Sequence, residues 1–208
     1  MQSENSRGGK AIMLTEAEEA HLFQFIARHS KTPEHDRVVF LLSLKAGLRA
    51  AEIAMLDWNH VMDGRMQAIG EYIELPRKGT KGKNRARTVP VHPELHQALE
   101  AWMAIHPRVQ AGVAITRSLR RANRYGDARH TANSLTLHMN RIYQDAGLVG
   151  ASSHSGRRTA ITKWSWAIES SGGSLSDVQR LAGHSSIAMT AEYIEGKKSA
   201  QHHMVNAA

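Results

Sequence analysis

The sequence predicts a single α+β domain that is mainly helical and carries one small antiparallel sheet. Apolar residues recur at helical spacing over most of the 208 residues, whereas alternating or β-branched stretches are confined to residues 58–91. With 41% hydrophobic residues, a chain of this length can bury a sizeable core, which favours one domain over two small ones.

Two helices are predicted in the first quarter of the chain. Thr15 and Glu18 form a capping box for a helix that runs to about His29. The second helix begins near Glu34 and carries a buried apolar face. Gly47 stops this helix, because glycine readily adopts the left-handed conformation that ends helices.

Arg49 and Glu52 follow this stop and share one face of a new short helix. An exposed arginine–glutamate pair contributes little to stability. The apolar neighbours Leu48, Ile53 and Leu56 indicate instead a partly buried guanidinium that the carboxylate orients. By itself, the spacing of Arg49 and Glu52 favours an exposed pair without a function and a pair with a function equally.

Residues 58–91 change from helical to strand periodicity. Residues 71–75 and 87–91 predict two antiparallel strands, with residues 58–62 as a third. The hairpin that joins the first two strands carries six basic residues and no acidic one: Arg77, Lys78, Lys81, Lys83, Arg85 and Arg87. Lysines on a solvated edge protect a sheet from aggregation, but the charge density of this hairpin is better explained by contact with a phosphate backbone.

A further helix opens at Pro93 and runs to Ile105. His92, Glu94 and His96 flank its start, but the proline and the residue order do not fit a zinc-binding helix. We expect no metal and no other cofactor.

A loop-rich stretch then forms a second basic tract, which fits phosphate contact slightly better than a solvated loop. Its arginines are Arg117, Arg120, Arg121, Arg124 and Arg129.

A histidine and an arginine share one face at a later helix start. An amphipathic helix over residues 134–146 ends at Gly147, and serines then cap a helix that begins around His154. Arg157 follows about one turn later, on the same face as His154. Because helix starts attract anions, this pair predicts an anion-binding site.

His184 and Tyr193 stand nine residues apart near the C-terminus. On one unbroken helix their side chains would face opposite ways, since nine steps of about 100° leave them half a turn out of phase. Gly183 can end the preceding helix, and Ser185 or Ser186 can cap the next. This break would bring both side chains into one cleft, although a core tyrosine beside a capping turn is the simpler interpretation of the two residues alone.

The composition restricts the class of partner and of chemistry. A formal net charge of +8 favours a polyanion, with nucleic acid ahead of an anionic membrane surface. No apolar run approaches a membrane span, and the N-terminus lacks the apolar core of a signal peptide, so we expect a cytoplasmic protein. The chain has no cysteine, which excludes disulfides, thiolate metal sites and thiol nucleophiles.

Four motifs together resemble those of the tyrosine recombinase (phage integrase) family, in the same order and setting. They are Gly-Leu-Arg49-x-x-Glu52, the basic hairpin before Arg-x-Val-Pro, His154-x-x-Arg157-Arg-Thr, and Leu-Ala-Gly-His184-Ser followed by Tyr193. The resemblance covers nearly all of residues 14–196 and implies the catalytic-domain fold of that family. It also implies a catalytic set of Arg49, Lys81, His154, Arg157, His184 and Tyr193, with Glu52 in support.

The resemblance implies site-specific recombination of double-stranded DNA through a 3′-phosphotyrosyl intermediate at Tyr193. Two arginines would neutralise the phosphodiester without a metal, and a hairpin lysine would protonate the departing 5′-oxygen. Lys81 and Lys83 both lie near the family's position for this lysine, and we choose Lys81. The alternatives are a type IB topoisomerase-like nicking-closing enzyme and a non-catalytic DNA-binding regulator of the same fold.

The expected organisation is a disordered arm over residues 1–13, a catalytic domain over residues 14–196 and a tail over residues 197–208. Members of the family usually carry a separate N-terminal DNA-clamping domain, and this sequence begins where the catalytic domain begins. We therefore expect either a minimal recombinase or one that depends on an accessory DNA-bending or DNA-binding protein. It is expected to be monomeric in solution, to form dimers and tetramers on DNA, and to associate with the nucleoid.

Overall fold

The computed structural model describes residues 11–75, 87–118 and 129–193. Within these ranges the chain is mainly helical and carries one two-stranded sheet. The strands are β1 (Tyr72–Leu75) and β2 (Arg87–Pro90). The helices are α1 (Glu16–His29), α2 (Pro33–Leu44), α3 (Ala50–Met55), α4 (Pro93–Ile105), α5 (Ala132–Asp145), α6 (Ser155–Trp166), α7 (Ile168–Ser171), α8 (Leu175–Ala182) and α9 (Ile187–Ala191).

The helix boundaries predicted in the first quarter of the chain are confirmed. At the start of α1 the Glu18 carboxylate accepts the Thr15 N–H at 2.8 Å, which completes the capping box. Gly47 follows α2 with a φ of 63°, in the left-handed region. Arg49 then occupies the N-cap position of α3. The turn at Gly47 therefore sets where the Arg49 side chain leaves the backbone.

The described sheet has two strands, and the prediction of a third over residues 58–62 is wrong. β1 and β2 pair antiparallel, with Leu75 opposite Arg87 at the end that adjoins the hairpin. Residues 58–60 instead form a 3-10 turn, because the His60 N–H donates to the Asp57 carbonyl within the segment. Local hydrogen bonds thus replace strand pairing at residues 58–60, and the described pairing of this segment is limited to an isolated antiparallel bridge between Met62 and Ile69.

Helix α2 lies at the centre of the main hydrophobic core. Most of its residues are buried, because it packs against α1, α4 and α6. A smaller cluster of Ile161, Val178 and Ala182 lies between α6 and α8, and Tyr193 packs against it. The C-terminal helices are therefore anchored on α6, close to the turn that follows α2.

The start of the described chain is tied to the core. Ile12, within the predicted arm, packs against the main core, and the Leu14 N–H donates to the Thr159 hydroxyl at 2.9 Å. Among the described residues, no helix combines the length and apolar character needed to span a membrane. Most of the arm, the hairpin tip, most of the second basic tract and the tail lie outside the described residues, in 1–10, 76–86, 119–128 and 194–208.

Candidate active site

Three arginines surround one carboxylate at the start of α3. The Glu52 Oε1 atom lies 3.4 Å from Nη1 of Arg49 and 2.9 Å from Nη1 of Arg87. Its Oε2 atom lies 3.8 Å from Nη1 of Arg157. Burial would raise the pKa of Glu52, but Arg87 and the Arg49 N–H hold it below its ordinary value. Three cations against one anion leave an excess of positive charge that suits a phosphate.

Arg157 is buried in α6 and bonded to two backbone carbonyls. Its Nη1 donates to the Gly47 carbonyl at 2.6 Å and its Nη2 to the Ala182 carbonyl at 2.7 Å. Burial and the nearby Arg49 guanidinium lower the pKa of Arg157 to about 10, so the side chain stays cationic at neutral pH. Arg157 thereby links the turn before Arg49 to the turn before His184.

Arg49 is partly exposed and His154 is exposed. The Arg49 side chain is 35% exposed, while its backbone N–H donates to the Glu52 carboxylate at 2.8 Å. His154 occupies the N-cap position of α6 and is exposed. The two residues predicted to form an anion site at this helix start therefore provide one exposed group, His154, and one buried group, Arg157.

The predicted break between His184 and Tyr193 is confirmed. Gly183 ends α8 with a φ of 62°, and the Ser186 hydroxyl accepts the Met189 N–H at the start of α9. The His184 and Tyr193 rings consequently approach to 5.1 Å between centroids. The two side chains lie side by side.

His184 is a buried, neutral imidazole, and one of its nitrogens has no described partner. Its Nδ1 atom lies 3.0 Å from the Thr190 hydroxyl, and its buried Nε2 atom has no hydrogen-bond partner among the described residues. Burial and the Arg157 guanidinium lower the pKa of His184 to about 4, so the ring is neutral at neutral pH. Nε2 is therefore a buried polar atom without a described partner, close to the Arg157 guanidinium.

Two hydrogen bonds hold the backbone of Tyr193. Its N–H donates to the Thr190 carbonyl at 3.0 Å. Its carbonyl accepts from the hydroxyl of Thr162, a fully buried residue of α6, at 2.9 Å. The tyrosine is therefore held beside the arginines and the histidine of its own chain.

The predicted DNA contacts have different surroundings. The Arg87 side chain is only 13% exposed and is bound to Glu52. Arg117 is partly buried, and its N–H donates to Nε2 of His35 at 3.1 Å. Arg129 donates to two backbone carbonyls. Outside the described residues lie the predicted catalytic lysine and the remaining predicted contacts: Lys81, Arg77, Lys78, Lys83, Arg85, Arg120, Arg121 and Arg124.

One group of described residues, His35, Asp36 and His138, has the composition of a metal site. Both rings approach Oδ1 of Asp36, with Nδ1 of His35 at 2.8 Å and Nε2 of His138 at 2.7 Å. Burial would raise the pKa of Asp36, but these two hydrogen bonds hold it well below its ordinary value. Because the Arg117 N–H donates to Nε2 of His35, the proton of a neutral His35 lies on Nδ1, facing Asp36. A metal at Nδ1 would have to displace that proton, and the hydrogen bonds account for the cluster without an ion.

Thr190 and Thr162 were not predicted from the sequence, and neither was the contact between Arg87 and Glu52. The sequence does hold a signal for Thr190, because a helix that begins at the Ser186 cap places this residue one turn before Tyr193. Thr162 had none, since it lies 31 residues from its partner.

Fold and site together define a mainly helical domain that holds a tyrosine beside a cluster of arginines and a neutral histidine. The model of the phage integrase family matches residues 13–200. The chain therefore belongs to the phage integrase family.

Two curated relatives agree with this assignment. Tyrosine recombinase XerC of Ralstonia pickettii (strain 12J) is 32% identical over 165 residues, which cover 76% of this chain and 48% of that protein. Tyrosine recombinase XerC 1 of Ralstonia nicotianae (strain ATCC BAA-1114 / GMI1000) is 29% identical over 161 residues, with 76% and 48% covered. The chain thus spans about half the length of the curated relatives it matches.

The predicted fold class is confirmed by solved structures. The XerA recombinase has a TM-score of 0.69 at 21% identity, over 97% of this chain and 66% of that chain. The Tn1549 transposon integrase in complex with circular intermediate DNA has a TM-score of 0.68 at 21% identity, over 98% of this chain and 69% of that chain. Apart from the third strand, which the described residues do not form, the domain has the predicted mainly helical fold.

Proposed function

We propose that this chain is the catalytic domain of a site-specific DNA recombinase, of the integrase or invertase kind, that cleaves and rejoins DNA through a 3′-phosphotyrosyl intermediate at Tyr193. The observation that carries the proposal is the position of Tyr193. Its ring lies 5.1 Å from that of His184, and the buried Arg157 is close to both residues. Both curated relatives are named tyrosine recombinases, which supports the same reaction.

The reaction first requires positive charge. A phosphodiester is anionic and repels an oxygen nucleophile until its nonbridging oxygens are neutralised. Arg49 and Arg157 would bind these oxygens and stabilise the charge that develops at the pentacoordinate phosphorus. Nε2 of His184, which is buried and unpartnered among the described residues, would bind one of the same oxygens.

The bond changes balance without an external energy source. The Tyr193 hydroxyl oxygen attacks phosphorus as the bond to the 5′-oxygen breaks, and Lys81 supplies the proton that this oxygen needs. Phenols ionise in water near pH 10, about three units above neutrality, so the attack also needs a proton acceptor or a strong positive potential. His154 and the arginines would supply these. A 5′-hydroxyl later attacks the phosphotyrosyl bond, which reseals the DNA and releases the tyrosine.

The substrate of this proposal is double-stranded DNA, on which protomers would pair as dimers and tetramers at the nucleoid, in the cytoplasm. A lambda integrase dimer bound to a COC′ core site and an XerH recombinase bound to difH both have this fold, with TM-scores of 0.61 and 0.66. Both of these proteins are bound to a DNA site, which supports DNA as the substrate class. An accessory DNA-bending or DNA-binding protein belongs to the same proposal.

Covalent trapping tests the proposal. Nicked suicide duplexes of random sequence should form a denaturant-resistant adduct with the wild-type chain. Tyr193→Phe should form none and bind DNA nearly as well. Tyr72→Phe is the matched control, because Tyr72 is an exposed tyrosine on β1, and it should form as much adduct as the wild type.

Two results would overturn the assignment of the nucleophile: an adduct that survives Tyr193→Phe, or an adduct mapped to Tyr143. Joining of the trapped strand to a second duplex then separates a recombinase from a nicking-closing enzyme. A chain that binds DNA but forms no adduct would be the non-catalytic regulator.

A further inference from the structure

We infer that Arg87 is a positioning residue of the active site and not a DNA contact. It fixes the Glu52 carboxylate so that Arg49 stays available to a phosphate. It also joins the end of the basic hairpin to the turn before His184. The inference rests on the proposed function, because it concerns how the same site is held ready for phosphate.

The Arg87 guanidinium makes a two-point contact with Glu52. Its Nη1 atom donates to Oε1 at 2.9 Å and its Nη2 atom donates to Oε2 at 3.2 Å. Both side chains are largely buried, with 13% and 17% exposed. Paired hydrogen bonds between a planar guanidinium and a carboxylate fix the orientation of both groups. A residue used in this way has little of its charge left to offer a DNA backbone.

A glycine makes room for this guanidinium. A Cβ atom added to Gly183 would lie 2.8 Å from Cζ of Arg87, closer than such atoms approach. Arg87 therefore lies directly against the left-handed turn that ends α8 and precedes His184. Its guanidinium is held between the Glu52 carboxylate and this turn.

The charges explain why a third arginine is needed. Glu52 interacts weakly with Arg49 through side chains, at 3.4 Å, and more closely with Arg87. Without Arg87, the buried carboxylate would have to draw Arg49 or Arg157 towards itself, since an unpaired buried anion is costly. The Arg49 guanidinium, now 35% exposed, would then lose positive charge that a phosphate needs.

The position of Arg87 in the chain gives it a second role. It is the first residue of β2 and lies opposite Leu75, at the point where the hairpin leaves the sheet. The hairpin carries Lys81, the proposed general acid. Its contact with Glu52 fixes the start of β2, the first described residue after the segment of the lysine, beside α3.

Single-turnover adduct formation on a suicide duplex, at saturating DNA, tests this inference. Arg87→Ala should slow the step by on the order of 10²-fold, the usual cost of misplacing catalytic groups by about 1 Å. Its affinity for DNA and the salt dependence of binding should stay close to those of the wild type. Arg85→Ala, in the predicted phosphate-contacting part of the hairpin, should instead weaken DNA binding and reduce the salt slope.

A double-mutant cycle shows whether Arg87 acts through Glu52. Glu52→Gln combined with Arg87→Ala should be no slower than the slower single variant, because both changes remove the same contact. Arg87→Lys should recover little of the rate, since an ammonium cannot make the two-point contact. The unfolding midpoint of each variant shows whether it is folded. If Arg87→Ala is unfolded, the rate of Arg87→Lys is used to test the inference.

Two results would overturn the inference. One is an Arg87→Lys or Arg87→Ala variant with the wild-type rate at saturating DNA and a reduced salt slope, which would make Arg87 a DNA contact. The other is rate losses that multiply in the double variant, which would mean that Arg87 does not act through Glu52. A wild-type chain that forms no adduct would instead contradict the proposed function, so the two failures are distinguishable.

Discussion

The Thr190 hydroxyl lies 3.0 Å from Nδ1 of His184, and both residues are buried. Because this histidine is neutral at neutral pH, one ring nitrogen carries the proton and the other does not. A hydroxyl that donates to Nδ1 places the ring proton on Nε2, the nitrogen without a described partner. In that tautomer Nε2–H can donate to a phosphate oxygen.

Thr190→Val should therefore slow adduct formation. The substitution keeps the shape of the side chain and removes one hydrogen bond, worth about 1 kcal/mol or about fivefold in rate. Thr190→Ser keeps the hydroxyl and should stay within about twofold of the wild type on that same energy scale. Single-turnover rates at saturating DNA measure the difference. Equal rates for the valine and serine variants would show that the hydroxyl does not set the histidine tautomer.

The catalytic lysine is predicted to be Lys81. Lys81→Ala should slow cleavage of an ordinary duplex by about 10²–10⁴-fold, the usual contribution of a general acid. A 5′-phosphorothiolate duplex should largely restore the rate, because a thiolate departs without a proton. Lys83→Ala is the matched control and should show no such restoration. Restoration in Lys83→Ala but not in Lys81→Ala would assign the acid to Lys83.

Local signals predicted the parts of the site that are built within one segment. Gly47 predicted the turn before Arg49, and Gly183 predicted the break that brings His184 beside Tyr193; the structure has both. Each depends on a residue type whose backbone preference acts within a few residues.

Contacts between distant segments could not be predicted in this way. Arg87 and Glu52 lie 35 residues apart, and Arg157 lies 110 residues from the carbonyl of Gly47. A basic run in one hairpin does not encode which distant carboxylate one of its members meets, so Arg87 was grouped with the DNA contacts. The wrong third strand has the same origin, because strand pairing depends on a partner outside the segment.

Gly156 allows α6 to approach α2. A Cβ atom at this position would lie 2.6 Å from the Ser43 hydroxyl and 3.0 Å from the Ser43 Cβ, in the buried contact between these helices. Alanine would favour the helix by about 1 kcal/mol, but overpacking costs about 1–3 kcal/mol, so we expect a net loss of stability. Urea unfolding of Gly156→Ala measures it.

Two further variants locate the cause of this loss. Gly64→Ala is the control, because its added methyl group meets nothing within 4 Å, and it should change stability by less than about 0.5 kcal/mol. Ser43→Ala in the Gly156→Ala background should recover part of the loss. An unchanged unfolding free energy in Gly156→Ala would contradict the expected net loss, because the overpacking cost would then be no larger than the gain in helix propensity.

Stability should fall as the pH is lowered from about 6.5 to about 4.5. Burial is the main cause that lowers the pKa values of His184 and His130, each to about 4, against an ordinary value of 6.5. In this window the unfolded chain binds protons at both positions and the folded chain does not, so protons favour unfolding. His130→Gln should flatten the pH dependence of the unfolding free energy measured in urea. A variant slope equal to that of the wild type would contradict the low pKa of His130.

The 208-residue chain by itself should bind DNA weakly and with a steep dependence on salt. The contacts proposed for the basic hairpin and for the second basic tract are mostly to phosphates, and each one neutralised contributes a log–log slope of about −0.9. One half-site offers little base readout, so specific sites should be found through cooperative binding of two or four protomers. Binding isotherms on one and on two half-sites measure this, because cooperativity raises the affinity per site only on the paired duplex. Equal affinity per site, or tight binding to a lone half-site that barely changes between roughly 50 and 200 mM salt, would place the recognition surface elsewhere.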